Sequence, residues 1–145
     1  MPVLVDTNIL LRSAQPNHPL CKASTWAVSQ LLRQHEEVYF CAQNITEFWN
    51  VATRPTNTNG LGMSLKEASE EIADIETTLP LLPDSELIYP EWKRLVKDFN
   101  VLGVKVYDAR LVAIMNVYGV TRILTYNVAD FKRYPNLAVI HPDDV

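Results

Sequence analysis

Short apolar runs alternate with helical patterns along this chain of 145 residues. Four of the runs are too short for helices and rich in β-branched or other apolar residues, which predicts strands at 3–5, 38–41, 122–126 and 137–140. Apolar strands separated by helices are typical of a parallel sheet covered by helices on both faces. We therefore expect an α/β fold in which a single domain, residues 1–145, has a central parallel sheet of four or five short strands flanked by helices.

Several local signals mark the predicted helices. The periodic segments are 20–34, 44–54, 64–78 and 106–118, with a further helix carrying Leu87 to Phe99 and a short one beginning at Ile9. Ser64-Leu65-Lys66-Glu67 matches a capping box, and Gly119 is placed as a C-terminal stop. Pro80 and Pro83 predict a loop, after which Asp84 or Ser85 is expected to cap the next helix.

Composition excludes several classes of protein. No window holds 18 consecutive apolar residues, so no membrane span is expected. Asp6 stands where a secretory signal would still be apolar, and Cys21 and Cys41 are too few for a disulfide framework or a metal cluster. These features predict a cytoplasmic protein with two free thiols.

The formal net charge of −4 is unevenly distributed. Segment 64–91 has eight acids and one base, whereas the rest of the chain has nine acids and twelve bases. If some of those nine acids bind metal ions, the remaining surface is basic. The acidic helix within the segment is either a solvated face or, through its apolar side, a surface for a partner or a second copy.

Three aspartates lie where chemistry is plausible. Asp6 follows the first predicted strand and Asp130 follows the third, and ligands of parallel sheets bind beyond such strand ends. Both could instead be turn or helix caps. Asp108 lies in line with apolar helix positions, where a carboxylate is costly unless it is paired or bound to metal; Arg110 is a possible partner. Glu47, by contrast, falls opposite the apolar stripe of its helix and by periodicity alone is a solvated residue.

Four segments in order resemble the signatures of PIN-domain nucleases, especially the VapC-type toxins. The segments are Asp6-Thr7-Asn8, Ile45-Thr46-Glu47-Phe48-Trp49-Asn50-Val51, Tyr107-Asp108-Ala109 and Thr125-Tyr126-Asn127-Val128-Ala129-Asp130-Phe131. The similarity spans nearly the whole chain. Each segment alone is a weak signal, but four in order on their expected elements are a strong one.

The resemblance implies a PIN-like domain with an acidic site, in which Asp6, Glu47, Asp108 and Asp130 are catalytic and bind metal. Thr7, Thr125 and Asn127 would be supporting polar residues. Relatives often carry an acid where this chain has Asn127, which leaves Asp130 to supply the fourth carboxylate. Carboxylates prefer hard ions, so one or two Mg²⁺ or Mn²⁺ ions are expected, and no His or Cys cluster suggests zinc.

The implied reaction is hydrolysis of RNA by metal-activated water, which leaves 5′-phosphate and 3′-hydroxyl ends. Five basic residues near the site segments are weaker candidates for RNA contacts: Arg12, Arg54, Arg110, Lys132 and Arg133. VapC-type toxins usually dimerise and are inhibited by an antitoxin, so a homodimer and a cognate antitoxin are expected partners. The principal alternative is a nuclease-inactive PIN domain that binds RNA or protein. A phosphatase-like hydrolase is disfavoured, because Asn8 stands where its second Asp would be.

Overall fold

Five parallel strands form the centre of the protein, which we describe from a computed structural model covering residues 1–145. The strands are β1 (Pro2–Val5), β2 (Glu37–Cys41), β3 (Leu81–Leu82), β4 (Arg122–Leu124) and β5 (Ala138–Ile140). They form one sheet in the order β3-β2-β1-β4-β5, with every neighbouring pair parallel. The predicted parallel α/β sheet is confirmed, with five strands.

Seven α-helices surround this sheet. They are α1 (Thr7–Ser13), α2 (Cys21–Arg33), α3 (Ala42–Thr53), α4 (Leu65–Thr78), α5 (Ile88–Asp98), α6 (Val106–Tyr118) and α7 (Val128–Phe131). No helix is both long and apolar enough to cross a membrane.

Alternate residues of each strand face opposite sides of the sheet. Leu4 of β1 packs into a core with residues of α5 and α6, whereas Val3 and Val5 pack into a second core with residues of α1 to α4. Because both faces are covered, β1 is apolar at every position, as parallel strands generally are. The sequence signal that predicted the fold is a direct consequence of these two cores.

Two short elements differ from the predictions. β3 lies within the segment interpreted as a loop; it has two residues, its ends are flanked by Pro80 and Pro83, and proline is tolerated at such a sheet edge. The backbone N–H of Phe40 donates to the carbonyl of Pro80 and so aligns this edge strand. α7 is a single turn, too short for helical periodicity to reveal.

The helix-end predictions were mostly correct. Ser64 and Glu67 cap each other reciprocally at 3.1 Å, and Gly119 takes a left-handed φ of 69° at the end of α6. The predicted cap of α5 was wrong by a few residues. The Ser85 hydroxyl accepts from the N–H of Leu87 in a turn ahead of the helix, which begins only at Ile88.

Candidate active site

The carboxyl ends of β1 and β4 meet at the centre of the sheet. β2 and β3 lie on one side of β1, and β4 and β5 lie on the other. The connections that follow β1 and β4 therefore run to opposite sides of the sheet. The N–H of Asp6, just past β1, donates to the carbonyl of Leu124 at 2.9 Å, which aligns the two strand ends. Such a divergence leaves a crevice in which parallel α/β proteins bind ligands.

Asp6 is held in this crevice by three neighbours. Its Oδ1 accepts from the backbone N–H of Thr7 and its Oδ2 from the Thr125 hydroxyl, both at 2.7 Å. The amide of Asn8 approaches Oδ2 at 3.4 Å. Asp6 is also the N-cap residue of α1, so the alternative interpretation as a cap is correct for its place in the chain. Capping leaves further lone pairs on both oxygens, since a carboxylate has about four acceptor sites.

Glu47 faces the same crevice from α3. Its Oε1 accepts from the Thr7 hydroxyl at 2.6 Å, and its Oε2 accepts from the Gln43 amide at 3.4 Å. The Asn44 amide in turn donates to the Thr7 oxygen at 3.1 Å. The prediction of a solvated Glu47, based on periodicity alone, was wrong. Gln43 and Asn44 are buried. These polar residues precede Glu47 by four and three positions, and this spacing indicates that α3 has a second face that is polar and covered.

Asp108 enters from the first turn of α6, half-buried, and accepts no hydrogen bond from the protein. Its neighbours on the helix, Leu111 and Met115, are fully buried, as the apolar stripe predicted. Arg110 does not pair with it. The guanidinium instead donates to Gln43 at 3.1 Å and approaches Asp84 at 3.4 Å. Both oxygens of Asp108 are therefore free to bind a ligand.

Asp130 lies in α7 and is paired with a residue that the sequence interpretation did not single out. The ammonium of Lys105, directly before α6, donates to Asp130 Oδ1 at 2.6 Å. The two residues are 25 positions apart, and no local pattern links them. Asp130 is not a helix cap, since Asn127 takes the N-cap position of α7.

Burial and the neighbouring carboxylates raise the pKa values of Asp6 and Asp108. Burial raises the pKa of Asp6 from 3.8 to about 6 against the hydrogen bonds of Thr125 and Thr7, and the charges of Glu47 and Asp130 add to the rise. Burial likewise raises the pKa of Asp108 from 3.8 to about 6, with the charges of Asp6, Asp130 and Glu47 acting in the same direction and Lys105 opposing them. All four acids therefore share one electrostatic environment.

The supporting residues are divided between the site and the surface. Thr125 is fully buried and links Asp6 to β4, while its hydroxyl oxygen accepts from the backbone N–H of Asn127. The Asn127 residue itself is exposed.

The basic candidates make various contacts. Arg12 donates to Gln15, and Arg54 donates to the carbonyl of Asn59 in its own loop. Lys132 and Arg133 are exposed and form no ion pair, although the charge of Arg133 lowers the pKa of Lys105. Arg110 alone is joined to the acids by hydrogen bonds, through Gln43.

The oxygen-rich donor set fits a hard divalent cation. No group of three or more His, Cys, Asp or Glu side chains lies close enough to chelate one ion directly. Mg²⁺ usually keeps several waters and takes one or two carboxylates together with substrate phosphate, so an open arrangement suits it better than a closed cage. The unpartnered oxygens of Asp108, close enough to Asp6 for the two charges to interact, are the observation that fits such an ion.

A family comparison identifies this domain. The model of the PIN domain matches residues 3–137, and the chain belongs to that family. Among proteins with curated descriptions, no sequence match is significant.

Solved structures have the same fold at low sequence identity. VapBC2 from Rickettsia felis bound to a promoter DNA fragment is 15% identical, with a TM-score of 0.72 over 97% of this chain and 98% of that one. VapBC from Salmonella typhimurium, also bound to DNA, is 14% identical, with a TM-score of 0.67 over 98% of both chains. VapC20 from Mycobacterium tuberculosis, a toxin that cleaves the sarcin-ricin loop, is 16% identical, with a TM-score of 0.59 over 83% of this chain and 86% of that one.

Proposed function

We propose that this protein is a divalent-metal-dependent endoribonuclease and the toxin of a type II toxin–antitoxin pair. The meeting of Asp6, Glu47, Asp108 and Asp130 at one crevice carries the proposal, because such a concentration of negative charge is costly without a cation. Perturbed carboxylates in a crevice are also typical of functional sites. The likeness to an RNA-cleaving toxin supports RNA as the substrate.

The roles of the residues follow from their contacts. Asp6, Glu47 and Asp108 would hold Mg²⁺ or Mn²⁺, in part through water ligands of the ion, and Asp130 completes the acidic site. A bound divalent ion lowers the pKa of its water and stabilises charge on the leaving oxygen of a phosphodiester. Thr7 orients Glu47, and Thr125 orients Asp6, so that their oxygens point into the crevice. Arg110, held by Gln43, is the basic residue best placed for a phosphate.

A groove between α1, α2 and α4 supports the antitoxin part of the proposal. Leu10 and Leu79 lie buried in its floor, and Glu71 and Asp74 form part of its rim. Burial, together with the charges of Asp74 and Glu70, raises the pKa of Glu71, so a positively charged partner would relieve this crowding. The groove therefore suits an amphipathic antitoxin segment with Lys or Arg beside its apolar residues.

The proposal also includes a homodimer and a cytoplasmic location. Five large apolar side chains from residue 87 to residue 107 are exposed and are the candidates for homodimer contacts: Leu87, Tyr89, Leu102, Val104 and Tyr107. Light scattering of the purified protein would measure the dimer.

The nuclease is tested by cleavage of a mixed RNA pool with Mg²⁺, with Mn²⁺ and with a chelator. We expect metal-dependent cleavage that leaves 5′-phosphate ends. Cleavage that survives the chelator would contradict the proposal. Folded protein that binds RNA but neither binds metal nor cleaves would instead support the alternative of an inactive binding module.

A further inference from the structure

We propose that Lys105 takes the place of a second divalent ion in the acidic site, so that the site binds one divalent ion and not two. This inference rests on the proposed nuclease function and concerns how its four carboxylates are neutralised.

The contact itself is specific. Lys105 Nζ lies 2.6 Å from Asp130 Oδ1, and their side chains are 41% and 29% exposed. No other Lys or Arg forms an ion pair with any of the four acids. The ammonium has no second protein acceptor, which leaves two of its N–H groups free to meet a phosphate oxygen.

Lys105 also places a positive charge directly beside Asp130. Lys105 directly precedes α6, three residues before Asp108, and its ion pair joins the start of α6 to Asp130 of α7. The charge of Asp108 favours the ammonium there, whereas the charge of Arg133 opposes it. A divalent ion on Asp130 would have to displace this ammonium or remain beside it against like-charge repulsion.

The other three acids of the crevice have no such cation. Asp6 and Glu47 accept hydrogen bonds only from hydroxyl, amide and backbone groups, and Asp108 accepts none. The negative charge there is left for an external ion. One ion on the Asp6 side and one ammonium on the Asp130 side therefore divide the neutralisation of the site between them.

Mn²⁺ binding tests this division without reference to activity. Calorimetric titration of the full chain is expected to give one Mn²⁺ per protomer for the wild type and for Lys105→Arg, and two for Lys105→Gln. In Lys105→Gln, the electron paramagnetic resonance spectrum should show two coupled Mn²⁺ ions. Lys132→Gln is the matched control, because it removes an exposed lysine near Asp130 that forms no ion pair; it should still bind one ion.

Two Mn²⁺ ions per protomer in the wild type, or only one in folded Lys105→Gln, would overturn the inference and leave the nuclease proposal standing. Asp130→Asn tests the same point if Lys105→Gln does not fold. It should keep one ion, and loss of that ion would also overturn the inference. No Mn²⁺ bound by any folded protein would overturn the proposed function and this inference with it.

Discussion

The two sides of the acidic crevice are built differently. On the side of β1 and α3, Asp6 and Glu47 are held by the hydroxyls of Thr125 and Thr7 at 2.7 and 2.6 Å. On the side of α6 and α7, Asp108 accepts no hydrogen bond, and Asp130 is held by an ammonium. Neutral donors thus orient one pair of carboxylates before any ion arrives, whereas the other pair depends on cations. A site of this kind has one preorganised side and one adjustable side.

The difference follows from the elements that carry the acids. Asp6 and Thr125 lie at the ends of adjacent central strands, so the sheet fixes their separation. Asp108 and Asp130 lie on the helices α6 and α7 and not at strand ends, and Lys105 joins Asp130 to the start of α6. Substitutions on the preorganised side should therefore lower the folding stability. Substitutions on the adjustable side should act by changing the charge of the site.

We expect the largest effect from Asp108→Asn, and we expect it on the rate of catalysis. This variant removes a free carboxylate but no protein hydrogen bond, so it should fold normally and lose more than about 100-fold in the rate of RNA cleavage. Metal-dependent cleavage of the RNA pool is the measurement. Asp98→Asn is the control, since Asp98 is an exposed acid on α5 that pairs only with Arg94. Equal activity in the two variants would contradict a role for Asp108.

Thr7→Val should act on the preorganised side. The change removes the hydroxyl that donates to Glu47 and leaves the buried amide of Asn44 without that acceptor. We expect a loss of about 2–4 kcal/mol in the free energy of unfolding and a loss of about 10- to 100-fold in cleavage rate.

Urea unfolding and the cleavage assay check both effects of Thr7→Val. Thr7→Ser, which keeps the hydroxyl, should recover most of each loss. The control is Thr46→Val, because the exposed Thr46 hydroxyl bonds only to the carbonyl of Ala42 in its own helix. If Thr7→Val were as stable as this control, the β1 side would not be preorganised by hydroxyls.

Stability should depend on pH through both Asp6 and Asp108, and Asp108→Asn isolates the contribution of the adjustable side. The pKa of Asp108 is 3.8 ordinarily and about 6 in the folded protein, so the folded state holds its proton more tightly. This contribution to stability is complete below pH 3.8 and is lost as pH rises through about 6. Asp108→Asn should therefore be more stable than the wild type at pH 7 in a chelator, by about 1–2 kcal/mol after allowance for partial exposure.

Thermal unfolding from pH 4 to pH 7 measures this dependence. The wild type should lose stability over that range more steeply than Asp108→Asn, and excess Mg²⁺ should restore much of the loss at pH 7. Parallel profiles for the two proteins in the chelator would show that the charge of Asp108 does not destabilise the folded protein.

The sequence was sufficient for the parts of this molecule that have their own local pattern. The apolar strands β1 and β2 and the amphipathic helices follow from burial on both faces of the sheet, and the capping box of α4 follows from two residues three apart. β3 could not be predicted, because two residues between prolines have no period of their own.

The site was less accessible to sequence analysis for a related reason. Glu47 lies on a helix face that is both polar and covered, and periodicity assumes that covered faces are apolar. The ion pair of Lys105 with Asp130 joins residues 25 positions apart, so it exists only after α6 and α7 have packed. Family resemblance supplied the acids and the supporting residues Thr7 and Thr125, whereas nothing in the sequence indicated Lys105.

Asn127→Asp offers the finest test of the two sides. The side chain is exposed at the start of α7, and the backbone N–H that donates to Thr125 is kept, so the free energy of unfolding should change by less than about 0.5 kcal/mol. A further negative charge on the adjustable side should tighten Mn²⁺ binding by about 1 kcal/mol, or about fivefold, and less at high salt.

The matched change is Asn136→Asp, which adds the same charge ahead of the amino end of β5, whereas the crevice lies at the carboxyl ends of the strands. Calorimetric titration should show little change in its dissociation constant for Mn²⁺. If both variants tightened binding equally, net charge rather than the local field of α6 and α7 would govern the site. If only Asn127→Asp binds Mn²⁺ more tightly, an additional negative charge on this side of the crevice strengthens the binding of a cation. This is the result expected where the carboxylates are held by cations and not by neutral donors.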